Sequence, residues 1–141
     1  MKKLLVFAVL MLVVVLGVSA EEQQKFSPEK FQADLEQFIT NEANLTPEES
    51  KKFFPLYREM QQKQRVVFKQ MKDLGVNKPA DEAACKKALE KRDELELEQK
   101  RIQQNYHKQF LNVLPASKVY DVIKAENHFH RTAFRKWRHQ K

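Results

Sequence analysis

Residues 45–74 read LTPEESKKFFPLYREMQQKQRVVFKQMKDL, and the first five of them set the reading of the rest. Thr46 can cap a helix, Pro47 gives up an N–H that a first turn does not use, and Glu49 can reach back to complete a capping box. Glu48 and Glu49 also suit the positive end of a helix dipole. Downstream, Phe53, Tyr57, Met60, Gln64, Val67, Met71 and Leu74 alternate between steps of four and three. The resulting period of about 3.5 is the seam of one helix laid along another. Pro55 falls inside the pattern and predicts a kink near Lys51–Phe54. Gly75 to Pro79 predicts the turn that follows.

The same punctuation continues outward in both directions. Ser27-Pro28-Glu29 offers a capping serine and a first-turn proline, followed by Phe31, Leu35, Phe38 and Ile39 on one face. That helix is expected to end near Asn44. A third helix is predicted from Asp81 to Val113, roughly 50 Å at about 1.5 Å per residue, with Ala88, Arg92, Leu95, Gln99, Ile102, Tyr106 and Val113 along its stripe. Between Lys86 and Asn105 the only apolar residues are Ala88, Leu89, Leu95, Leu97 and Ile102, so most of its circumference must face water. Leu114-Pro115 breaks it, and a fourth helix carries Val119, Val122, Ile123, Phe129, Phe134 and Trp137. The expected fold is all-α: four helices, a long kinked antiparallel helical hairpin with shorter flanking helices, cradle-like rather than round. Such a layer leaves apolar surface uncovered, which implies a second chain or another partner.

The chain has 141 residues, a net charge of +7, two glycines and one cysteine. Glycine this scarce argues against strand-and-turn architectures. Residues 1–20, MKKLLVFAVLMLVVVLGVSA, combine a basic start, an apolar run and small residues at the end. This describes a secretory signal peptide cut before Glu21, after which no stable membrane insertion is expected. Losing Lys2 and Lys3 takes the net charge from +7 to +5. A single helical domain over 21–141 remains. Cys85 is alone and cannot close an internal bridge. It reads as a small buried residue among Ala83, Ala84 and Ala88, with a link between two chains as the alternative.

No Gly-rich phosphate loop, nucleophile elbow, HExxH or CxxC occurs, so no enzyme, catalytic residue or cofactor is expected. The carboxylates of Asp93–Glu98 read as a solvated helix face. His128 and His130, two apart, point about 200° from each other on a helix. His107 and His139 could join one of them only through the tertiary fold; with Glu126 nearby, His128, His130 and His139 are candidates for a zinc site across a dimer. His128 to Lys141 holds Arg131, Arg135, Lys136, Arg138 and Lys141 interleaved with Phe129, Phe134 and Trp137, and no acid. Basic groups with aromatics suit nucleic acid, an anionic membrane surface or an unfolded polypeptide; export argues against nucleic acid.

Leu45-Thr46-Pro47-Glu48-Glu49 resembles the LTxxQ motif of the periplasmic Spy/CpxP chaperones, with Glu49 in place of glutamine. Leu114-Pro115-Ala116-Ser117-Lys118 lies where the family's second copy belongs, with proline for threonine and lysine for glutamine. The resemblance implies a periplasmic homodimer, an antiparallel cradle of kinked helices that binds unfolded clients without ATP. The family also includes zinc-responsive members and inhibitors of envelope-stress sensor kinases, so a metal-responsive regulator with a sensor-kinase partner is the alternative. Candidate client contacts are Phe53, Phe54, Tyr57, Met60, Phe129, Phe134 and Trp137, with Arg131, Arg135 and Arg138 as steering charges.

Overall fold

The first three helices start at side-chain caps, Ser27, Thr46 and Asp81. The computed structural model describes residues 26–139, with the Trp137 side chain excepted; the signal peptide expected at 1–20 lies outside the described residues. Among them the chain forms four α-helices and no strand: α1 (Pro28–Glu42), α2 (Pro47–Leu74), α3 (Glu82–Phe110) and α4 (Ala116–His139). The Ser27 hydroxyl accepts from the Lys30 N–H at 3.2 Å, and the Asp81 carboxylate accepts from the Ala84 N–H at 2.8 Å. At Thr46 the capping box is complete. Glu49 N–H donates to the Thr46 hydroxyl at 3.2 Å, and Thr46 N–H donates to the Glu49 carboxylate at 2.8 Å. α2 runs unbroken through Pro55, which has no N–H to offer the Lys51 carbonyl. α3 stops at Phe110, short of the expected Val113. Val113 and Leu114 both bond back to the Phe110 carbonyl, which tightens the chain into a turn before Pro115.

Between α1 and α2 the chain reverses within four residues. Asn44 takes a left-handed φ of 49°, a conformation asparagine tolerates better than most residues. Leu45 N–H bonds to the Thr40 carbonyl and Asn44 N–H to the Asn41 carbonyl, the paired bonds of a Schellman ending. Lys118, near the start of α4, reaches this joint. Its ammonium donates to the Asn44 carbonyl at 2.8 Å and to the Glu49 carboxylate at 2.6 Å. The two LTxxQ-like segments therefore meet, with Leu45 and Leu114 both buried beside them. Thr46, Pro47, Glu48 and Pro115 stay at the surface, and Glu49 is half-buried.

α2 packs on α3, and α1 on α4. Phe53 touches Phe110, the Lys63 ammonium lies over the Tyr106 ring, and the Gln99 side chain bonds to the Gln64 carbonyl. Partners falling on α3 as they rise on α2 make the pair antiparallel. The core gathers where all four helices overlap. Leu35 and Ile39 of α1 meet Phe53, Phe54, Tyr57 and Met60 of α2, Tyr106 and Phe110 of α3, and Val119, Val122 and Ala125 of α4. Each such large side chain contributes about 1.5–3 kcal/mol by leaving water. Beyond Gln64 and Gln99 the α2–α3 pair continues as an arm, where only Val67 and Leu95 are buried. The surface of α3 carries Lys86–Glu90, Lys91–Glu94 and Arg92–Glu96 pairs along its own turns, as its composition predicts. No helix among the described residues is long and apolar enough to cross a membrane.

The Lys118 ammonium first, then the Thr46 N–H, holds the Glu49 carboxyl below its ordinary value of 4.5. A carboxyl lowered in the folded state stabilises the fold above its unfolded pKa, and the effect fades as pH falls through the lowered value. Lys118→Ala is therefore expected to lower the urea midpoint near pH 7. The gap to the parent chain should narrow as the buffer is taken well below pH 4.5, leaving the share due to the Asn44 carbonyl. A gap that stays constant down to pH 2.5–3 (roughly the acid limit set by carboxyl titration) would mean that Lys118 acts through packing and its bond to Asn44 and not through Glu49.

Candidate functional site

Of the aromatic and apolar residues proposed from sequence as client contacts, four are interior. Phe53, Phe54, Tyr57 and Met60 are core residues, and their apolar faces are taken up by α1, α3 and α4. Phe53 lies edge to face with Phe110 at 4.8 Å and stacks on Tyr57 at 5.5 Å. Phe129 is half-buried, held between Phe31 at 5.3 Å and Phe38 at 5.5 Å. Phe134 is 59 % exposed. Arg131, Arg135 and Arg138 are exposed, and with His130 and Phe134 they line one depression on α4. Trp137 belongs to α4, but its side chain lies outside the described residues.

The histidines do not gather. His128 sits edge-on to Phe38 at 5.5 Å, while His130 lies near Phe31 and 3.8 Å from the Glu126 carboxylate. No group of three or more His, Cys, Asp or Glu side chains that could hold a metal ion occurs among the described residues, so His128, His130 and His139 form no such group within one chain.

A groove that the sequence reading did not anticipate runs across all four helices. Phe26, Pro28, Phe31 and Gln32 come from the start of α1 and the residues before it, and Gln61, Gln64, Arg65 and Phe68 from α2. Gln99 of α3 and Glu126 and His130 of α4 complete it. Beside it an ion pair joins α1 to α2: Arg58, which lines an adjoining depression, clamps Glu36 through Nε at 2.7 Å and Nη2 at 2.6 Å. Burial pushes the Glu36 carboxyl up, but the bonds from Arg58 and Gln32 outweigh it and leave it below its ordinary value. Gln32 donates from one amide nitrogen to Glu36 and to Gln61, each at 2.9 Å, which ties α1 to α2 at the groove floor.

At the α4 side, Tyr57 lies fully buried beneath Glu126. The tyrosine hydroxyl has no well-formed hydrogen bond; burial first, then the Glu126 charge, drives its pKa far upward. It stays neutral throughout the physiological range. Burial likewise lowers the pKa of His107.

Two further depressions extend the groove. One shares Pro28, Gln32, Gln61 and Arg65 with it and runs on to Pro55 and Arg58. The other is the arginine depression on α4, which shares His130. Aromatic faces, side-chain amides and guanidinium groups thus follow one another along a single track. Amides offer both donors and acceptors to a peptide backbone, aromatics cover apolar side chains, and guanidinium forks match carboxylates. The sequence did carry one sign of the groove: Gln64 and Gln99, polar residues on the seams of both long helices, meet in the structure.

Searches against protein-family models, curated proteins and solved structures return no match to this chain.

The track and the core separate in a stability experiment. Phe68→Ser, at a position 64 % exposed, is expected to change the unfolding free energy by no more than about 0.5 kcal/mol. Phe53→Ala, at a position with no exposure, is expected to cost about 3–5 kcal/mol. Equal losses from the two, measured by urea unfolding, would make the groove wall part of the core.

Proposed function

We propose that this protein is an exported, ATP-independent chaperone of the Spy/CpxP type that holds unfolded polypeptide along the track. The observation that carries the reading is the union, at His130, of an aromatic and amide groove with an acid-free arginine depression. An extended segment lies in the groove with its apolar side chains against Phe31 and Phe68, while Arg131, Arg135 and Arg138 attract its acidic flanks. Charge attraction speeds encounter, and shallow contacts keep release fast.

The junction of the two LTxxQ-like segments adds support. The two positions where the family motif has glutamine hold Glu49 and Lys118, and these bond to each other. In this reading residues 1–20 direct the chain to the periplasm, and Pro55 kinks α2 near Lys51–Phe54 so that the α2–α3 hairpin curves into a cradle. Two copies pair through the outer face of α3 and the turn that ends it, where Leu97 and Leu111 lie exposed along one depression with His107.

An equimolar amount of the dimer is expected to suppress aggregation of a chemically unfolded test protein without ATP. Phe68→Ser combined with Phe134→Ser should remove most of that suppression. Replacing Arg131, Arg135 and Arg138 by glutamine should weaken it and abolish its dependence on salt. No suppression by the parent chain would refute the reading.

A further inference from the structure

At the far end of the arm, away from the track, the turn between α2 and α3 folds over a cavity of about 310 Å³. Met71 and Leu74 from the end of α2, Pro79 from the turn, and Cys85, Ala88 and Leu89 from the start of α3 form its apolar walls. Among the described residues the only charged side chains lining it are Lys78 and Arg92. Arg92 also holds Glu96 at 3.2 Å, whereas Lys78 makes no ion pair among the described residues. No carboxylate among the described residues lines the cavity.

We infer that this cavity binds a single-chain amphiphile with an anionic head, an alkyl carboxylate being the simplest member of the class. The volume lies at the lower edge of ligand sites, which run from about 300 to 1,000 Å³. It is also about twice the roughly 150 Å³ at which a dry apolar cavity takes up benzene. At about 30 Å³ per water-sized group it accommodates on the order of ten such groups, the bulk of a medium alkyl chain. The tail displaces poorly held water from apolar walls, and the head remains at the rim. There it meets Lys78 and, beside it, the Arg92 guanidinium. An alkylammonium of the same length buries the same tail but places its charge against two cations. Selectivity for the anion therefore tests the assignment. The inference is independent of the chaperone reading, since no residue of the cavity belongs to the track.

Cys85 is the only cysteine in the chain; it is half-buried in the cavity wall, its Sγ 3.6 Å from the Pro79 carbonyl oxygen. It therefore reports occupancy directly. In the full chain, decanoate below its micelle concentration is expected to slow alkylation of Cys85 by iodoacetamide at least fivefold, read by mass spectrometry. Decylammonium should give less than a twofold effect. Lys78→Glu, an exposed turn substitution whose folding a thermal melt verifies, should abolish protection by decanoate. Equal protection by both amphiphiles, or protection by neither, would overturn the assignment. So would protection that rises with protein concentration when no amphiphile is present, because a second copy would then occupy the cavity.

Discussion

Phe53 meets Phe110 edge to face and stacks on Tyr57, and these contacts join the start of α2 to the end of α3. Around them close Leu35 and Ile39 of α1 and Val119, Val122 and Ala125 of α4. The large buried side chains are concentrated in this cluster, which sets where all four helices overlap. It also decides what is left for the surface. α1 and α4 cover the aromatic end of the long pair, and the groove forms along the line where their edges meet α2. The ion pair between Arg58 and Glu36 bridges α1 and α2 next to that line, with Arg58 lining the adjoining depression.

Much of the fold was legible in the sequence because its signals are local. The Thr46 capping box, the Ser27 cap and the break at Pro115 concern hydrogen bonds within one turn, and residue types alone specify them. The seam residues Phe53, Tyr57, Met60 and Val67 are buried as their spacing required. The placement of Phe53, Phe54, Tyr57 and Met60 as surface contacts had a different fate. A stripe on a helix shows which face is apolar, but whether a client or another helix covers that face depends on the tertiary arrangement. The groove was illegible for the same reason. Gln32, Gln61, Gln64, Gln99 and Glu126 come from four helices, and only folding brings them together.

Charge is distributed with equal consequence. Three of the acids of α3, Glu90, Glu94 and Glu96, pair with cations one turn away, and its acids and bases nearly balance, so that helix carries many charges and little net field. The last turns of α4 hold arginines without acids among them. The net positive charge of the chain is therefore felt mostly at one place, beside the exposed aromatic ring of Phe134, where a binding partner's charge would count most.

The division between a four-helix end and a two-helix arm also sets where the molecule yields first. With Val67 and Leu95 as its only buried side chains, the arm contributes little to the global unfolding barrier. Its amide hydrogens exchange through local opening while those of the aromatic end wait for complete unfolding. A nick in the turn at 75–81 then leaves two fragments still held together by Phe53, Phe110 and their neighbours. The molecule behaves as a firm hub carrying a supple limb, and the limb can change shape without loosening the hub.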